Sequence, residues 1–150
     1  MSYLLCGLVQ SKPKIVIIYY RDGVGEGQIL QVREQEVNEL LKLFKEHNLN
    51  IQFTYVIVAK RINTRFYKMD NKNQFVNPPS GSVFDDVVTL PERYDFFIVS
   101  QSVRQGTATP TSYNVIEDTS GWKPEQIQLL TYKLCMDSKD IFGFGQFFFN

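Results

Sequence analysis

Two carboxylates, Glu26 and Asp85, lie in segments whose composition predicts loops next to β-strands. Glu26 lies in a glycine-rich run after an apolar strand, and Asp85 is expected at a strand edge after a turn. Hard divalent cations take oxygen ligands, and a pair of metal ions about 3.5–4 Å apart clamps the attacking and leaving oxygens of a displacement. Two carboxylates from separate loops therefore suit divalent-metal chemistry. On spacing alone, the simpler interpretation is favoured, namely that both are solvated or turn-forming surface groups.

A basic and aromatic segment follows the second apolar strand. It interleaves cations with aromatic rings: Lys60, Arg61, Arg65 and Lys68 with Phe66 and Tyr67. Cations that neutralise phosphates and rings that stack on bases are together typical of proteins that bind single-stranded nucleic acid. The segment is thus a candidate site for a nucleic-acid backbone, and a solvated basic loop is the alternative.

The composition confines any polyanion site to a local patch. The chain has 150 residues, 43% of them hydrophobic and 21% charged, which is typical of one soluble globular domain. Its 16 basic and 16 acidic residues cancel, so no global cationic field attracts nucleic acid. The sequence contains no signal peptide and no apolar run long enough for a membrane span, so neither secretion nor membrane insertion is expected for the chain as given.

Other catalytic arrangements find little support in the residue spacing. The glycine-rich run around Glu26 lacks the Lys-[Ser/Thr] ending of a P-loop, so a nucleotide site is a weak hypothesis. The serines after the third predicted strand have no histidine nearby, which disfavours a Ser-His-Asp hydrolase. The single histidine, His47, is expected at the surface near a helix end, and Cys6 and Cys135 lack metal-ligand spacing.

A strand-helix-strand pattern surrounds Glu26. The continuous apolar run Lys14–Tyr20 predicts a strand covered on both faces, because continuous rather than alternating apolarity suits a parallel or mixed sheet. A helix is predicted from about Gln28 to Glu46, followed by a second strand at Ile51–Ala59. The crossover between two such strands is right-handed in nearly all proteins. The predicted helix has one apolar face, formed by Val37, Leu40, Leu41 and Phe44.

The remaining elements extend this α/β pattern. Residues Asp70–Ser82 predict a loop or a loose hairpin, because they are rich in Asn, Pro, Ser and Gly. Strands are predicted at Tyr94–Ser100 and around Tyr113–Glu117, and Pro124 opens a last helix. The periodicity then ends, and Ile141–Asn150 is a tract of glycine and phenylalanine. The buried face of the last helix is expected to carry Ile127, Leu130 and Leu134.

Several motifs resemble, in the same order along the chain, those of the PIWI domain of the Argonaute family. Residues 20–28, Tyr-Arg-Asp-Gly-Val-Gly-Glu-Gly-Gln, resemble its Tyr-Arg-Asp-Gly-Val-x-Glu-Gly-Gln motif. Residues 60–66 and 79–85 resemble its basic motif and its Pro-x-Gly-Thr-Val-x-Asp segment. From residue 93 onward the motifs are similar to those of the Piwi clade in particular. The resemblance extends from about Lys14 to Cys135.

The resemblance implies an α/β fold of the ribonuclease H-like class, with a mixed sheet flanked by helices. It divides the chain into an N-terminal lead-in (1–13), a partial PIWI domain (14–135) and a divergent tail rich in phenylalanine and glycine (136–150). The family's upstream strands and its C-terminal segment have no match in this sequence. One edge of the Lys14–Tyr20 strand is therefore expected to lack a neighbour, which would leave its backbone groups unpaired.

The resemblance also implies a function: binding of a small guide RNA, here a Piwi-interacting RNA (piRNA), and cleavage of a paired target RNA with Mg²⁺. The family's active site is a tetrad of Asp, Glu, Asp and His. Glu26 and Asp85 match the glutamate and the second aspartate, which makes Asp85 the expected metal ligand. The first aspartate and the histidine have no match, so the chain as given is predicted not to cleave RNA by itself.

The same resemblance predicts the partners. Guide RNA, target RNA and other silencing proteins are expected, without membrane or DNA, in the cytoplasm and within germ granules. Two alternatives stay open: a non-catalytic module that binds RNA or protein through residues 60–68 and the aromatic tail, and a non-functional truncated product. Ser112 replaces a histidine that is usual in the family motif. The residues expected to lie near the guide are Lys60, Arg61 and Arg65 in the basic segment and Gln105 and Thr109 in a later loop.

Overall fold

The computed structural model of the chain describes residues 2–9, 14–86, 94–103 and 105–137. The predicted glycine and phenylalanine tract, Ile141–Asn150, lies outside the described residues. Within the described part, no helix is both long and apolar enough to cross a lipid bilayer. The strands are β1 (Ser2–Val9), β2 (Lys14–Asp22), β3 (Ile51–Ala59), β4 (Lys68–Met69), β5 (Phe75–Val76), β6 (Ser82–Phe84), β7 (Tyr94–Val99) and β8 (Thr111–Asp118). The helical segments are a 3₁₀ turn (Glu26–Gln28), α1 (Ile29–Val32), a π turn (Arg33–Val37), α2 (Asn38–Glu46) and α3 (Pro124–Asp137).

The described residues form two compact units. The first comprises residues 2–9, 14–58 and 114–122. The second comprises the described residues between 59 and 113 together with residues 123–137. Strand β8 has residues in both units.

In the first unit the strands lie in the order β1-β2-β3-β8. β1 is antiparallel to β2, with Leu5 opposite Ile18, and β2 is parallel to β3, with Ile17 opposite Phe53. The sheet is therefore mixed, as predicted. The prediction that one edge of the Lys14–Tyr20 strand lacks a neighbour is wrong. Residues assigned to the lead-in form β1, which pairs with the backbone groups on that side of β2.

One helical stretch connects β2 to β3 and confirms the predicted helix. It begins with the 3₁₀ turn and includes the π turn, which no sequence signal predicted. Val32 and Val37 are buried and pack with Phe53, Tyr55 and Ile57 of β3, so the apolar face of the helix covers the sheet. The other predicted face residues, Leu40, Leu41 and Phe44, are partly buried against the same cluster.

This helical stretch ends where its polar stop residues predict. His47 is exposed at the C-terminus of α2. Asn48 has a φ of +52°, a left-handed conformation that asparagine tolerates better than most residues. The backbone N–H of Leu49 then donates to Phe44 O over 2.8 Å, which satisfies a carbonyl of the last turn.

A polar network joins β3 to the end of β8 within the first unit. The Thr54 hydroxyl is buried and donates to Asp118 Oδ1 over 2.7 Å. The same oxygen accepts from the backbone N–H and the hydroxyl of Ser120, at 2.9 and 2.6 Å. Thr119 N–H donates to Phe53 O over 2.8 Å. Because buried polar groups are costly unless they are hydrogen-bonded, this network satisfies Thr54 and Ser120 and holds the end of β8 against β3.

In the second unit the strand order is β8-β7-β6, with β6 antiparallel to β7. β4 and β5 form a separate two-stranded hairpin, within the region predicted as a loop or loose hairpin. Phe96 of β7 is buried and its ring stacks on that of Tyr113, with the centroids 5.2 Å apart. In α3, Ile127 is fully buried while Leu130 and Leu134 are half-buried, which confirms the predicted inner face of the last helix.

Candidate nucleic-acid interface

The basic segment is an irregular stretch of the second unit that a phenylalanine anchors. Phe66 stacks on Phe84 of β6, with the ring centroids 3.9 Å apart and the planes 7° from parallel. Its ring also meets Phe97 of β7 edge-on at 5.5 Å. Aromatic pairs in these arrangements are favourable beyond the area they bury. The neighbouring cations Lys60 and Arg61 are exposed, so the segment has an aromatic anchor and a solvent-facing charge.

Arg65 shapes the bend of this segment. Its Nη1 donates to Ile62 O and to Thr64 O, both over 2.7 Å. These two bonds hold the guanidinium against its own loop, while the residue stays exposed. Among the residues that the structure describes, Nε and Nη2 of Arg65 have no hydrogen-bond partner. The guanidinium therefore keeps donors for an acceptor such as a phosphate oxygen.

The β4-β5 hairpin extends from the end of the basic segment. Met69 pairs with Phe75, and the connecting turn places Asn73 at a φ of +57°. Asp70 Oδ1 accepts the backbone N–H groups of Lys72 and Gln74, each over 2.8 Å. This arrangement is an Asx turn, in which the side chain replaces a backbone acceptor. The carboxylate of Asp70 is thereby engaged by the turn.

Asn77 joins the end of the hairpin to the later loop that contains Gln105 and Thr109. Its Nδ2 donates to Gly106 O over 2.8 Å, and its Oδ1 accepts from Ala108 N–H over 3.0 Å. Both bonds come from one side chain, so the amide holds the loop at two nearby points. Gln105 and Thr109 are exposed on either side of these points.

A second contact holds the same loop next to the basic segment. The hydroxyls of Tyr67 and Thr107 lie 3.3 Å apart, within hydrogen-bond distance. With the two Asn77 bonds, the structure thus brings together the two segments that the sequence predicted separately. Among the predicted RNA-binding residues, all are exposed in the second unit: Lys60, Arg61, Arg65, Gln105 and Thr109.

The interface is locally cationic in a chain without net charge. Between Ala59 and Asp85 the sequence has one acidic residue, Asp70, and its carboxylate accepts two backbone hydrogen bonds. The cations of the same stretch are Lys60, Arg61, Arg65, Lys68 and Lys72. The excess of positive charge agrees with the inference from composition that any polyanion site is local.

Asp85 lies directly after β6 in the second unit and is exposed. Gln128 of α3, which is 6% exposed, donates its Nε2 to Asp85 Oδ2 over 2.7 Å. The buried amide thus orients the carboxylate.

The turn that precedes β6 is shaped by Gly81, which has a φ of +88° and whose added Cβ would lie 3.1 Å from the Tyr132 ring. Only glycine suits both the conformation and the space.

Glu26 begins the 3₁₀ turn of the first unit and is exposed. The turn is closed by Gly25 and Gln28: Gln28 N–H donates to Gly25 O over 2.9 Å, and Gly25 N–H donates to Gln28 Oε1 over 3.2 Å. Arg21, at the end of β2, donates its Nη1 to Asp22 O over 2.8 Å. The loop that carries Glu26 is therefore held at its start by the Arg21 hydrogen bond and at its end by the two hydrogen bonds between Gly25 and Gln28.

Arg21 also contacts a partly buried charge network in the same unit. Its Nε lies 3.3 Å from a carboxylate oxygen of Glu36, which the π turn presents. The same oxygen accepts the hydroxyl of Tyr55 over 2.5 Å. Burial, and then the hydrogen bond to Glu36, raise the pKa of Tyr55 far above its usual range. The hydrogen bond to Glu36 likewise raises the pKa of Arg21, so the phenol stays neutral and the guanidinium stays charged.

The described residues offer the donor chemistry for part of a magnesium site. Mg²⁺ is usually held by one or two carboxylates together with water and substrate phosphates, so the oriented carboxylate of Asp85 fits one such ligand. Within the described part of the chain, no group of three or more His, Cys, Asp or Glu side chains is placed to hold a metal ion. Because Glu26 and Asp85 belong to different units, a metal site shared between them stays a prediction.

Three residues of these sites were missed at the level of sequence. Asn77 and Gln128 act through single side-chain contacts with residues far along the chain, for which no local pattern exists. Phe75 offered a weak signal, since it is an aromatic residue after the polar run Asn71–Gln74 and belongs to no amphipathic element.

The fold and these motifs define a domain of the ribonuclease H-like class. The family profile described as "Piwi domain" matches residues 7–142. The chain belongs to the Piwi domain family. It is 56% identical over 120 residues to "Piwi-like protein Siwi" of Bombyx mori and 46% identical over 124 residues to "Protein piwi" of Drosophila melanogaster. Each alignment covers 79% of this chain but only 13% and 14% of the relatives, respectively.

Solved structures agree with this assignment. The crystal structure of Drosophila Piwi matches with a TM-score of 0.69 and 46% identity, over 80% of this chain and 16% of that one. The structure of Kluyveromyces polysporus Argonaute with a guide RNA matches with a TM-score of 0.67 and 27% identity, over 80% of this chain and 15% of that one. The predicted fold class, an α/β mixed sheet flanked by helices as in the PIWI domain, is confirmed.

Proposed function

We propose that this chain forms part of the guide-binding surface of a Piwi-like protein. In this proposal the basic segment and the loop containing Gln105 and Thr109 contact the backbone phosphates of a small guide RNA, a piRNA by its family. The observation that carries the proposal is the bridge from Asn77 to Gly106 and Ala108. Together with the contact between the Tyr67 and Thr107 hydroxyls, that bridge holds the exposed polar loop next to the basic segment.

The chemistry of the surface supports a phosphate backbone as its ligand. Lys60 and Arg61 are exposed, and Arg65 keeps guanidinium donors for an acceptor. Side-chain cations and loop amides of this kind position a nucleic acid without reading its sequence. The solved structure of Kluyveromyces polysporus Argonaute includes a guide RNA, which is consistent with this class of ligand.

The wider activity of the whole protein belongs to the same proposal. The chain spans about a seventh of the length of its relatives, so target-RNA cleavage, gene silencing and contacts with other silencing proteins are proposed for the whole protein from the motif resemblance. Glu26 and Asp85 are proposed as two carboxylates of a Mg²⁺-dependent centre, with Asp85 as a ligand of the ion. Residence in the cytoplasm, within germ granules, is proposed from the motif resemblance.

The test is the salt dependence of RNA binding. Fluorescence anisotropy with a labelled single-stranded RNA measures the affinity of the full chain between about 50 and 200 mM salt, a range in which phosphate contacts weaken strongly. In the double variant K60Q/R61Q we expect weaker binding, and a log–log salt slope that is shallower by about 0.7 for each phosphate that the variant no longer neutralises. The cause is the release of fewer counterions from the RNA.

The matched control removes the same charge elsewhere. Lys45 at the end of α2 and Lys133 on α3 are both exposed, so K45Q/K133Q lowers the net charge equally without touching the interface. Equal loss of affinity in the two double variants would show that only the overall charge matters, and would contradict the proposed site. Binding that does not depend on salt would instead favour docking through apolar groups.

A further inference from the structure

The β4-β5 hairpin leaves large apolar side chains in water. Phe75 is 73% exposed, Met69 55% and Tyr67 52%. All three lie on one side of the hairpin, because Met69 is opposite Phe75 in the register and the Tyr67 ring contacts the Phe75 ring. Single exposed apolar side chains are normal, but a group of neighbouring ones that includes two rings in contact is typical of a binding surface.

The two rings are held in a defined arrangement. Their centroids are 6.3 Å apart and their planes are inclined by 67°, a T-shaped contact. Such a contact uses the edge of one ring and one face of the other, so the remaining faces stay available for another flat group. The hydroxyl of Tyr67 is within hydrogen-bond distance of Thr107, which limits rotation of its ring.

The charge around the rings indicates what would cover them. Arg65 precedes Tyr67, Lys72 lies in the turn before Phe75, and the nearby acid, Asp70, has its carboxylate engaged by backbone N–H groups. A purely apolar partner would gain nothing from these cations. A single-stranded nucleic acid carries both of the matching features, since its bases have π-faces and its phosphates are anionic.

We propose that Tyr67 and Phe75 form a stacking platform for unpaired bases of an RNA strand whose phosphates follow the basic segment. The inference rests on the proposed function and deepens it, because it assigns the base contacts that phosphate binding leaves open. Stacking of this kind tolerates any base, so the platform adds affinity and selects single strands over duplexes.

The test separates base contacts from phosphate contacts. Anisotropy is measured with two oligonucleotides of the same length, one an ordinary single-stranded RNA and the other an abasic strand with the same number of phosphates. With the full chain we expect Phe75→Ala to weaken binding of the ordinary RNA by about tenfold, within the range of base–aromatic stacking. Binding of the abasic strand and the salt slope are expected to stay unchanged.

Matched variants guard against effects on folding. Leu129 of α3 is 55% exposed, so Leu129→Ala removes an apolar surface side chain of the same unit and is expected to leave both affinities unchanged. Phe75→Trp keeps an aromatic face and is expected to retain the preference for the ordinary RNA. Tyr67→Phe keeps the ring but has no hydroxyl to bond to Thr107, and should retain most of the preference.

The outcomes distinguish this inference from the proposed function. The stacking platform is refuted if the unaltered chain binds both strands equally, or if Phe75→Ala weakens both strands to the same extent. In either case a loss of affinity in K60Q/R61Q would still support phosphate binding. If the unaltered chain binds neither strand, both proposals fail.

Discussion

The side chain of Asn77 offers a sharp test of how the interface is built. Asn77→Ala removes one bond to Gly106 O, which is exposed, and one bond from Ala108 N–H, whose residue is 2% exposed. Water can replace the missing donor at Gly106 but reaches the N–H of Ala108 poorly. A typical net hydrogen bond contributes about 0.5–1.5 kcal/mol, and a buried group left unsatisfied costs about 1–3 kcal/mol. We therefore expect a decrease of about 2 kcal/mol in the free energy of unfolding.

Urea denaturation of the full chain measures this decrease, and two further variants locate its origin. Asn71→Ala, at an exposed position of the hairpin turn, is the control and should change stability by less than about 0.5 kcal/mol. Asn77→Asp keeps an acceptor for Ala108 N–H, but it replaces the donor to Gly106 O with a carboxylate oxygen that faces this carbonyl. We therefore expect its stability to lie below that of the unaltered chain.

Hydrogen exchange and RNA binding complete the test. The amide of Ala108 should exchange faster in Asn77→Ala, because its acceptor is gone. RNA affinity should fall as well, since the loop containing Gln105 and Thr109 is no longer attached to the hairpin by this side chain. A stability of Asn77→Ala within about 0.5 kcal/mol of the unaltered chain would refute the reasoning.

Two further predictions concern stability within each unit. Gly81→Ala should destabilise the chain by about 2 kcal/mol, because its φ of +88° disfavours a side chain and the new Cβ would press on the Tyr132 ring. The control in urea denaturation is Gly27→Ala, because an added Cβ at Gly27 meets no atom within 4 Å. Equal stabilities of the two variants would contradict this explanation. For Tyr55, burial and the bond to Glu36 raise the folded-state pKa, while the unfolded phenol ionises near pH 10 (about the model-peptide value). The resulting stability is therefore fully present below about pH 10 and falls as pH rises above it. Tyr55→Phe should reduce this alkaline fall in denaturation measured from neutral to alkaline pH, and an unchanged slope would show that other groups cause it.

The secondary structure followed closely from local patterns. The continuous apolar runs of β2 and β3, the helical spacing that ends in Phe44, and Pro124 at the start of α3 all predicted elements that the structure contains. Each of these signals depends on residues that are close in sequence, because strand and helix periodicity is a local property. The π turn at Arg33–Val37 was missed, since it changes one turn of hydrogen bonds without disturbing the apolar face.

The site divides between what motifs and what contacts determine. Motif resemblance identified Glu26 and Asp85 as candidate active-site carboxylates and Lys60 and Arg61 as candidate RNA-binding residues. It could do so because residue types and their order are given by the sequence itself. It could not select Gln128, which orients Asp85 from a helix far along the chain.

The amino-acid sequence by itself determined which segments form strands and helices, the family to which the chain belongs, and the local excess of positive charge between Ala59 and Asp85. Tertiary structure alone decided that β1 covers the edge of β2, that Asn77 joins the hairpin to the loop at Gly106, and that Phe75 stays exposed. The physical reason is that periodicity and charge are sums over neighbours in sequence. A strand partner, a bridging amide or an uncovered ring instead depends on which distant segments meet.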